Sequence, residues 1–305
     1  MTSSSPLFAP ERARAASPGA VQVVLVSPDG YAHAAAFAEV VETVVYGLRA
    51  LDVAATYAVN RLVAPGPPAV VLGANLLTSE EAPLLPPGTV VYNLEQIGQS
   101  SSWCSPLYLE LLQRHEVWDY SARNIASLSA LSICPAAKHV PIGYVPELTR
   151  IKPAATQDID VLFYGSMNER RAFVIEALRQ VGLQVHTAFG VYGALRDALI
   201  SRAKVVLNLH YYDTSIFEVV RVSYLLANRK AVVAECHPGT EIDADMCDAV
   251  RLAPYGELVD ACMDLVRDQA AREAQAEQGF ARMTARDEAA YLRAALGGAR
   301  TTKGW

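Results

Sequence analysis

The chain contains no G-x-G-x-x-G after its first apolar segment, no G-x-x-x-x-G-K-[ST], no G-x-S-x-G and no H-E-x-x-H. Dinucleotide-fingerprint, P-loop, nucleophile-elbow and zinc-protease chemistries therefore all lose weight. Cysteine is scarce: Cys104, Cys134, Cys236, Cys247 and Cys262 are an odd set, widely spaced, with no C-x-x-C. A disulfide framework is excluded on that count, and a reducing, cytoplasmic setting is expected. Cys236 beside His237, with Cys247 further on, does not match a zinc spacing, so no metal site is expected. Positive charge is also in short supply. With 26 Lys and Arg against 32 Asp and Glu, the formal charge is −6. A general attraction to nucleic acid or to an anionic membrane is absent, and any phosphate site must be built locally. No run is apolar and long enough to span a bilayer. Residues 1–19, rich in Ser, Pro, Ala and Arg, lack the apolar stretch of a signal peptide and read as a loose tail.

What the chain does have is size and apolar content. Its 305 residues, 52% hydrophobic and 19% charged, exceed what one core usually organises, so two domains with room for a cleft are expected. Apolar strand candidates at 21–27, 53–59, 69–72, 89–93, 116–120 and 138–142 are separated by turn signals and helical stretches, the first helix running over 32–51. Such alternation predicts a parallel α/β sheet. Prolines and polar residues then interrupt the pattern, and 146–157 reads as a linker. The alternation restarts with Asp158-Ile-Asp-Val-Leu-Phe-Tyr164 and continues through strands near 183–187, 204–209 and 230–234, with helices over 169–181, 192–202 and 216–228. Helices over 256–268 and 270–296 close the chain. The expected division is an N-terminal acceptor domain at 20–145, a C-terminal nucleotide domain at 158–270, and a terminal helix and tail at 271–305 that can pack back on the first domain.

In an open parallel sheet, ligands bind beyond the carboxyl ends of the strands. Three segments fall there. In Tyr164-Gly165-Ser166-Met167-Asn168-Glu169-Arg170-Arg171, a small-residue turn leads a strand into a helix, so that backbone amides, the helix dipole and two guanidinium groups can hold a diphosphate. The alternative there is a capped helix with solvated arginines. The second segment runs from Asn208 through His210, Tyr211 and Tyr212 to Ser215, Glu218 and Arg221. Ser215 and Glu218 have the spacing of a capping box. Glu218 can also accept from ribose hydroxyls, Arg221 can neutralise phosphate, and His210 or Tyr212 can touch the sugar; equally, Glu218 and Arg221 can pair with each other along the helix. The third segment holds His33, a candidate general base that Asp29 can orient, and Glu95 is a second candidate acid or base after its own strand. Trp103, Trp118, Asp119 and Tyr120 are candidates for an acceptor surface or for the core. Asp158-Ile159-Asp160 has D-x-D spacing but opens its strand at the opposite end.

The linker Pro141-Ile-Gly-Tyr-Val-Pro146, the restart DIDVLFYGSMNERR and the segment from Ala203 to Glu235 resemble GT-B glycosyltransferases, and within them the spore-maturation-protein-like, family 1-like group. The resemblance covers roughly residues 138–270. It implies two facing Rossmann-like domains, with the nucleotide sugar on the C-terminal one and the acceptor on the N-terminal one. By the same resemblance Gly165, Ser166 and Arg170 match the phosphate-side loop, and Glu218 falls in the helix that contacts the nucleotide. Family members often carry two glutamates eight positions apart before a Gly-x-Pro turn; here Glu218 stands alone and Asn228-Arg229-Lys230-Ala231 replaces the turn. The expected activity is metal-independent transfer of a sugar from a nucleotide-sugar substrate, with no tightly bound cofactor, to an acceptor that can be a glycan, lipid-linked glycan, protein or small molecule. A sugar-nucleotide epimerase and a non-catalytic GT-B scaffold or sugar-binding protein are the competing expectations.

Overall fold

The computed structural model describes residues 20–63, 66–97, 104–134, 136–211 and 216–297. Trp103, Tyr212, Ser215 and the tail at 1–19 lie outside them. The chain divides into two compact units, Met1–Gly143 with Asp287–Trp305, and Tyr144–Arg286.

The first unit is built on six parallel strands: β1 (Val21–Leu25), β2 (Ala55–Val59), β3 (Ala69–Leu72), β4 (Val90–Asn93), β5 (Glu116–Asp119) and β6 (Lys138–His139). Their order is β2-β1-β3-β4-β5-β6. Every residue of β1, β3 and β4 is buried, as expected of strands covered on both faces by helices. The chain steps to one side of β1 and then to the other, which makes β1/β3 the topological switch point. The helices are α1 (Ala38–Arg49), α2 (Pro106–Arg114) and α3 (Ala122–Ala130). The single helix expected over 32–51 is instead a 3-10 segment, Ala32–Phe37, followed by α1; no side chain caps the 3-10 start at Tyr31.

Five parallel strands form the second unit: β7 (Ile159–Tyr164), β8 (Val185–Ala188), β9 (Ala203–Asn208), β10 (Ala231–Glu235) and β11 (Arg251–Ala253), in the order β11-β10-β9-β7-β8. The order reverses at β7/β9. Helices α4 (Glu169–Gln180), α5 (Gly193–Arg202), α6 (Val219–Ala227), α7 (Leu258–Arg267) and α8 (Gln269–Thr284) accompany them. Residues read as a linker are fastened to this unit. Asn228 accepts from the backbone N–H groups of Arg150 and Ile151 and donates to the carbonyls of Leu148 and Tyr224, so all of its hydrogen-bonding capacity is used.

The continuous helix expected over 270–296 is two helices. After α8, the buried Arg286 turns inward to pair with Asp243 and Asp245, both at 2.7 Å. Asp287 then caps a new helix, α9 (Glu288–Leu296), by accepting the Ala289 N–H. That helix belongs to the first unit and packs on α1 where Gly47 leaves room for Glu288 and Leu292.

Candidate functional site

In the second unit, the loops leaving β7 and β9 meet at the switch point. Gly165 adopts φ +147°, a conformation that favours glycine, and a Cβ there would stand 3.4 Å from Arg221 Nη2 and 3.5 Å from Arg171 Nη1. Asn168 caps α4 by accepting the Arg171 N–H and donates to the Tyr211 carbonyl at 2.7 Å, so one side chain ties both loops. Arg171, only 3% exposed, donates to the carbonyls of Ser166 and His210 at 2.8 and 3.3 Å and to that of Leu209. Burial and the neighbouring Arg221 pull its pKa down to about 10, against Glu218, Tyr211 and Glu235. It is therefore a brace of the loops.

Arg170 is committed elsewhere. Both of its terminal nitrogens donate to the Glu235 carboxylate at the end of β10, and its guanidinium lies 4.1 Å from the Tyr255 ring centroid. Glu235, 2% exposed, needs a counter-charge in that position and also accepts the His210 N–H at 3.0 Å. Arg221 is partly open, with 22% of its side chain exposed against 24% for Arg170 and 3% for Arg171; it reaches Glu218 at 3.3 Å and Asn208 Oδ1 at 3.4 Å.

The capping box is corrected. Helix α6 starts at Val219, so Glu218 holds the cap position itself and makes no side-chain capping bond; its carboxylate is drawn instead to Arg171 and Arg221, at 3.5 and 3.3 Å. The pairing of Glu218 with Arg221 along the chain is present. His210 is fully buried at the end of β9, and neither ring nitrogen has a hydrogen-bond partner; burial lowers its pKa. His237, which sequence reasoning did not place in the site, lies edge-on to it with ring centroids 6.3 Å apart. Its proximity follows from the β9–β10 pairing, a long-range relation that spacing does not reveal.

In the first unit, His33 lies in the 3-10 segment after β1, edge-on to Tyr31, and Asp29 is exposed in the preceding turn. Glu95 follows β4. Burial pushes its pKa up to about 7, opposed by a hydrogen bond from Asn75. The backbone around it is held by a buried polar network. Asn93 donates to Asp119 at 2.6 Å and accepts from the Tyr108 hydroxyl at 2.6 Å, while Asn124 donates to Asp119 at 3.1 Å and to the Glu95 carbonyl at 2.9 Å. Trp118, Asp119 and Tyr120 are buried, so they form core and scaffold and not an acceptor surface; β5 is an interior strand of the sheet.

Among the described residues, no group of three or more His, Cys, Asp or Glu is arranged to hold a metal ion, and no helix is long and apolar enough to cross a membrane.

The two parallel-sheet α/β units match the GT-B glycosyltransferase fold. Sucrose-phosphate synthase from Thermosynechococcus elongatus aligns with TM-score 0.59 at 12% identity, over 90% of this chain and 97% of that one. The T4 phage β-glucosyltransferase in complex with UDP-glucose aligns with TM-score 0.55 at 11% identity, over 91% and 98%. Anabaena HepE in complex with UDP aligns with TM-score 0.56 at 11% identity, over 93% and 99%. In sequence, the chain is 23% identical over 188 residues to an uncharacterized protein of Acanthamoeba polyphaga mimivirus, L140, and the match spans 58% of this chain and 59% of that protein. No protein-family model matches the chain.

Proposed function

We propose that this protein is a glycosyltransferase that moves a sugar from a nucleotide-sugar donor to an acceptor nucleophile, without a metal held by its side chains. The observation that carries this reading is the β7/β9 switch point, where the Gly165–Ser166 turn, the capped start of α4 and the partly exposed Arg221 converge. Backbone amides and a helix N-terminus suit a diphosphate, and a fixed guanidinium stabilises the negative charge that grows on it as the glycosidic bond breaks. Arg171 acts by bracing the loops and Arg170 by holding Glu235. Glu218, whose carboxylate is oriented by both Arg171 and Arg221, is the acceptor group for ribose hydroxyls. Solved GT-B neighbours that hold UDP or UDP-glucose make a uridine nucleotide the first donor to try.

In an inverting transfer, Glu95 takes the proton of the acceptor hydroxyl. A carboxyl group poised near neutrality is both sufficiently ionised and sufficiently basic for that step. His33 is the second base candidate on the same sheet edge. The segments Asp158–Arg171 and Ala203–Glu235 support a place within the spore-maturation-protein-like group.

A non-catalytic reading draws on the commitment of Arg170 to Glu235, the burial of Arg171 and the pairing of Arg221 with Glu218, which engage all three cations within the protein. The deciding experiment is UDP release from UDP-glucose, with product analysis, for the wild type, Glu95→Gln and Arg221→Ala against pooled acceptor classes. Acceptor-dependent release that both substitutions suppress supports transfer. A converted sugar nucleotide without acceptor would favour an epimerase, and binding without turnover a scaffold.

A further inference from the structure

Strands β3 and β4 pair in parallel with Leu72 opposite Tyr92, and Asn75 and Glu95 each lie three residues beyond that pair. The 20-residue offset of the strand register is thus kept into the two loops, which brings the side chains together: Asn75 Nδ2 donates to Glu95 Oε1 at 3.4 Å. The β3 loop is obliged to take this path. Gly73 has φ +77°, a Cβ on it would meet the Val26 carbonyl at 2.9 Å, and its own carbonyl accepts the Leu76 N–H to close the 3-10 turn Ala74–Leu76 that carries Asn75. On the other side, the Glu95 N–H donates to Asn93 Oδ1 and the Glu95 carbonyl accepts from Asn93 and Asn124. With the backbone held at both polar groups, only the side-chain torsions of Glu95 are left to be set.

We propose that Asn75 is a positioning residue for Glu95, fixing Oε1 so that Oε2 is the oxygen that takes the acceptor proton; this rests on the reading of Glu95 as the base. The chemistry of an amide suits the task. A Lys or Arg in the same place would hold the carboxylate but drive its pKa far below neutrality, whereas a neutral donor orients it and lowers the pKa only partly. The described loops after β1, β3 and β4 carry Asp29, Glu80, Glu81 and Glu95 and no Lys or Arg. Tyr108 on α2 feels the charges of Glu95, Asp119 on β5 and Cys104, and Asp119 is engaged by Asn93, Asn124 and the Ser121 N–H.

The test is the titration of the Glu95 carboxyl carbon by NMR in the full chain, together with the pH dependence of UDP-glucose turnover, for the wild type, Asn75→Ala, Asn75→Asp and Glu95→Gln. Loss of the amide donor removes a stabiliser of the ionised form, so Asn75→Ala moves both the titration and the acid limb of turnover to higher pH by about half a unit or more, and Asn75→Asp moves them further. A side chain that merely props the loop would shift neither. If Glu95→Gln is inactive and Asn75→Ala titrates as wild type, the role of Asn75 falls while the base stands. If Glu95→Gln turns over at the wild-type rate, Glu95 is not the base and both assignments fall.

Discussion

The carboxylate of Glu235, buried at the end of β10, receives both terminal nitrogens of Arg170 from the first turn of α4. This pair, with His210 bonded to both partners, ties the loops after β7 and β9 together and decides what Arg170 can do. Removing the guanidinium leaves a buried charge uncompensated, so Arg170→Ala lowers the free energy of unfolding by about 3 kcal/mol. Arg170→Ala combined with Glu235→Leu recovers part of that loss. Urea denaturation of the three proteins checks it, and a single variant as stable as the wild type contradicts it.

Gly165 answers to backbone conformation as well as to space. Gly165→Ala puts a Cβ into a φ of +147° beside two arginines and costs about 1–3 kcal/mol, with a distorted Gly165–Ser166 turn. UDP affinity falls in this variant by more than its loss of stability explains, which calorimetry below the unfolding midpoint measures.

The Glu95 carboxyl has its pKa raised from 4.5 to about 7 in the folded chain, so the native state favours the protonated form. The associated stability is fully present below the unfolded pKa and is lost as pH rises through 7. Glu95→Gln removes the penalty of burying the charge. The variant therefore gains on the wild type between pH 5 and 8, reaching about 1–3 kcal/mol at the upper end. Unfolding curves that keep a constant separation across that range contradict the shift.

Two glycines at helix contacts differ in what surrounds them. A Cβ on Gly279 in α8 meets the backbone carbonyl of Ala249 at 2.5 Å, whereas one on Gly47 in α1 meets side-chain atoms of Glu288 and Leu292 at 2.6 and 2.8 Å. Backbone yields less readily than a side chain, so Gly279→Ala destabilises by about 1–3 kcal/mol and Gly47→Ala by less. Thermal unfolding of both variants ranks them.

These outcomes depend on relations of different visibility in the sequence. The strands were legible because β1, β3, β7 and β9 are short apolar runs ended by turn residues, and a parallel sheet follows from their alternation with helices. The Gly165 turn was legible for the same local reason. What escaped is set at long range. Arg286 breaks the final helix because Asp243 and Asp245 are folded against it, and an Ala-, Arg- and Glu-rich stretch shows no trace of that pairing. The Ser215–Glu218 spacing suggested a cap, but the charges of Arg171 and Arg221 claim the Glu218 carboxylate instead. Asn75 reaches Glu95 in the first unit, and Glu235 and His237 reach His210 in the second, only through strand register, which a single sequence does not display.

The central claim is that the β7/β9 edge of the second unit binds a nucleoside diphosphate, and calorimetric titration of UDP into the wild type and Arg221→Ala tests it most directly. Saturable binding to the wild type, weakened about tenfold or more in Arg221→Ala with an unchanged unfolding midpoint, is the predicted result. Equal affinity in the two proteins, or no heat of binding for UDP, GDP or ADP in the wild type, would contradict it.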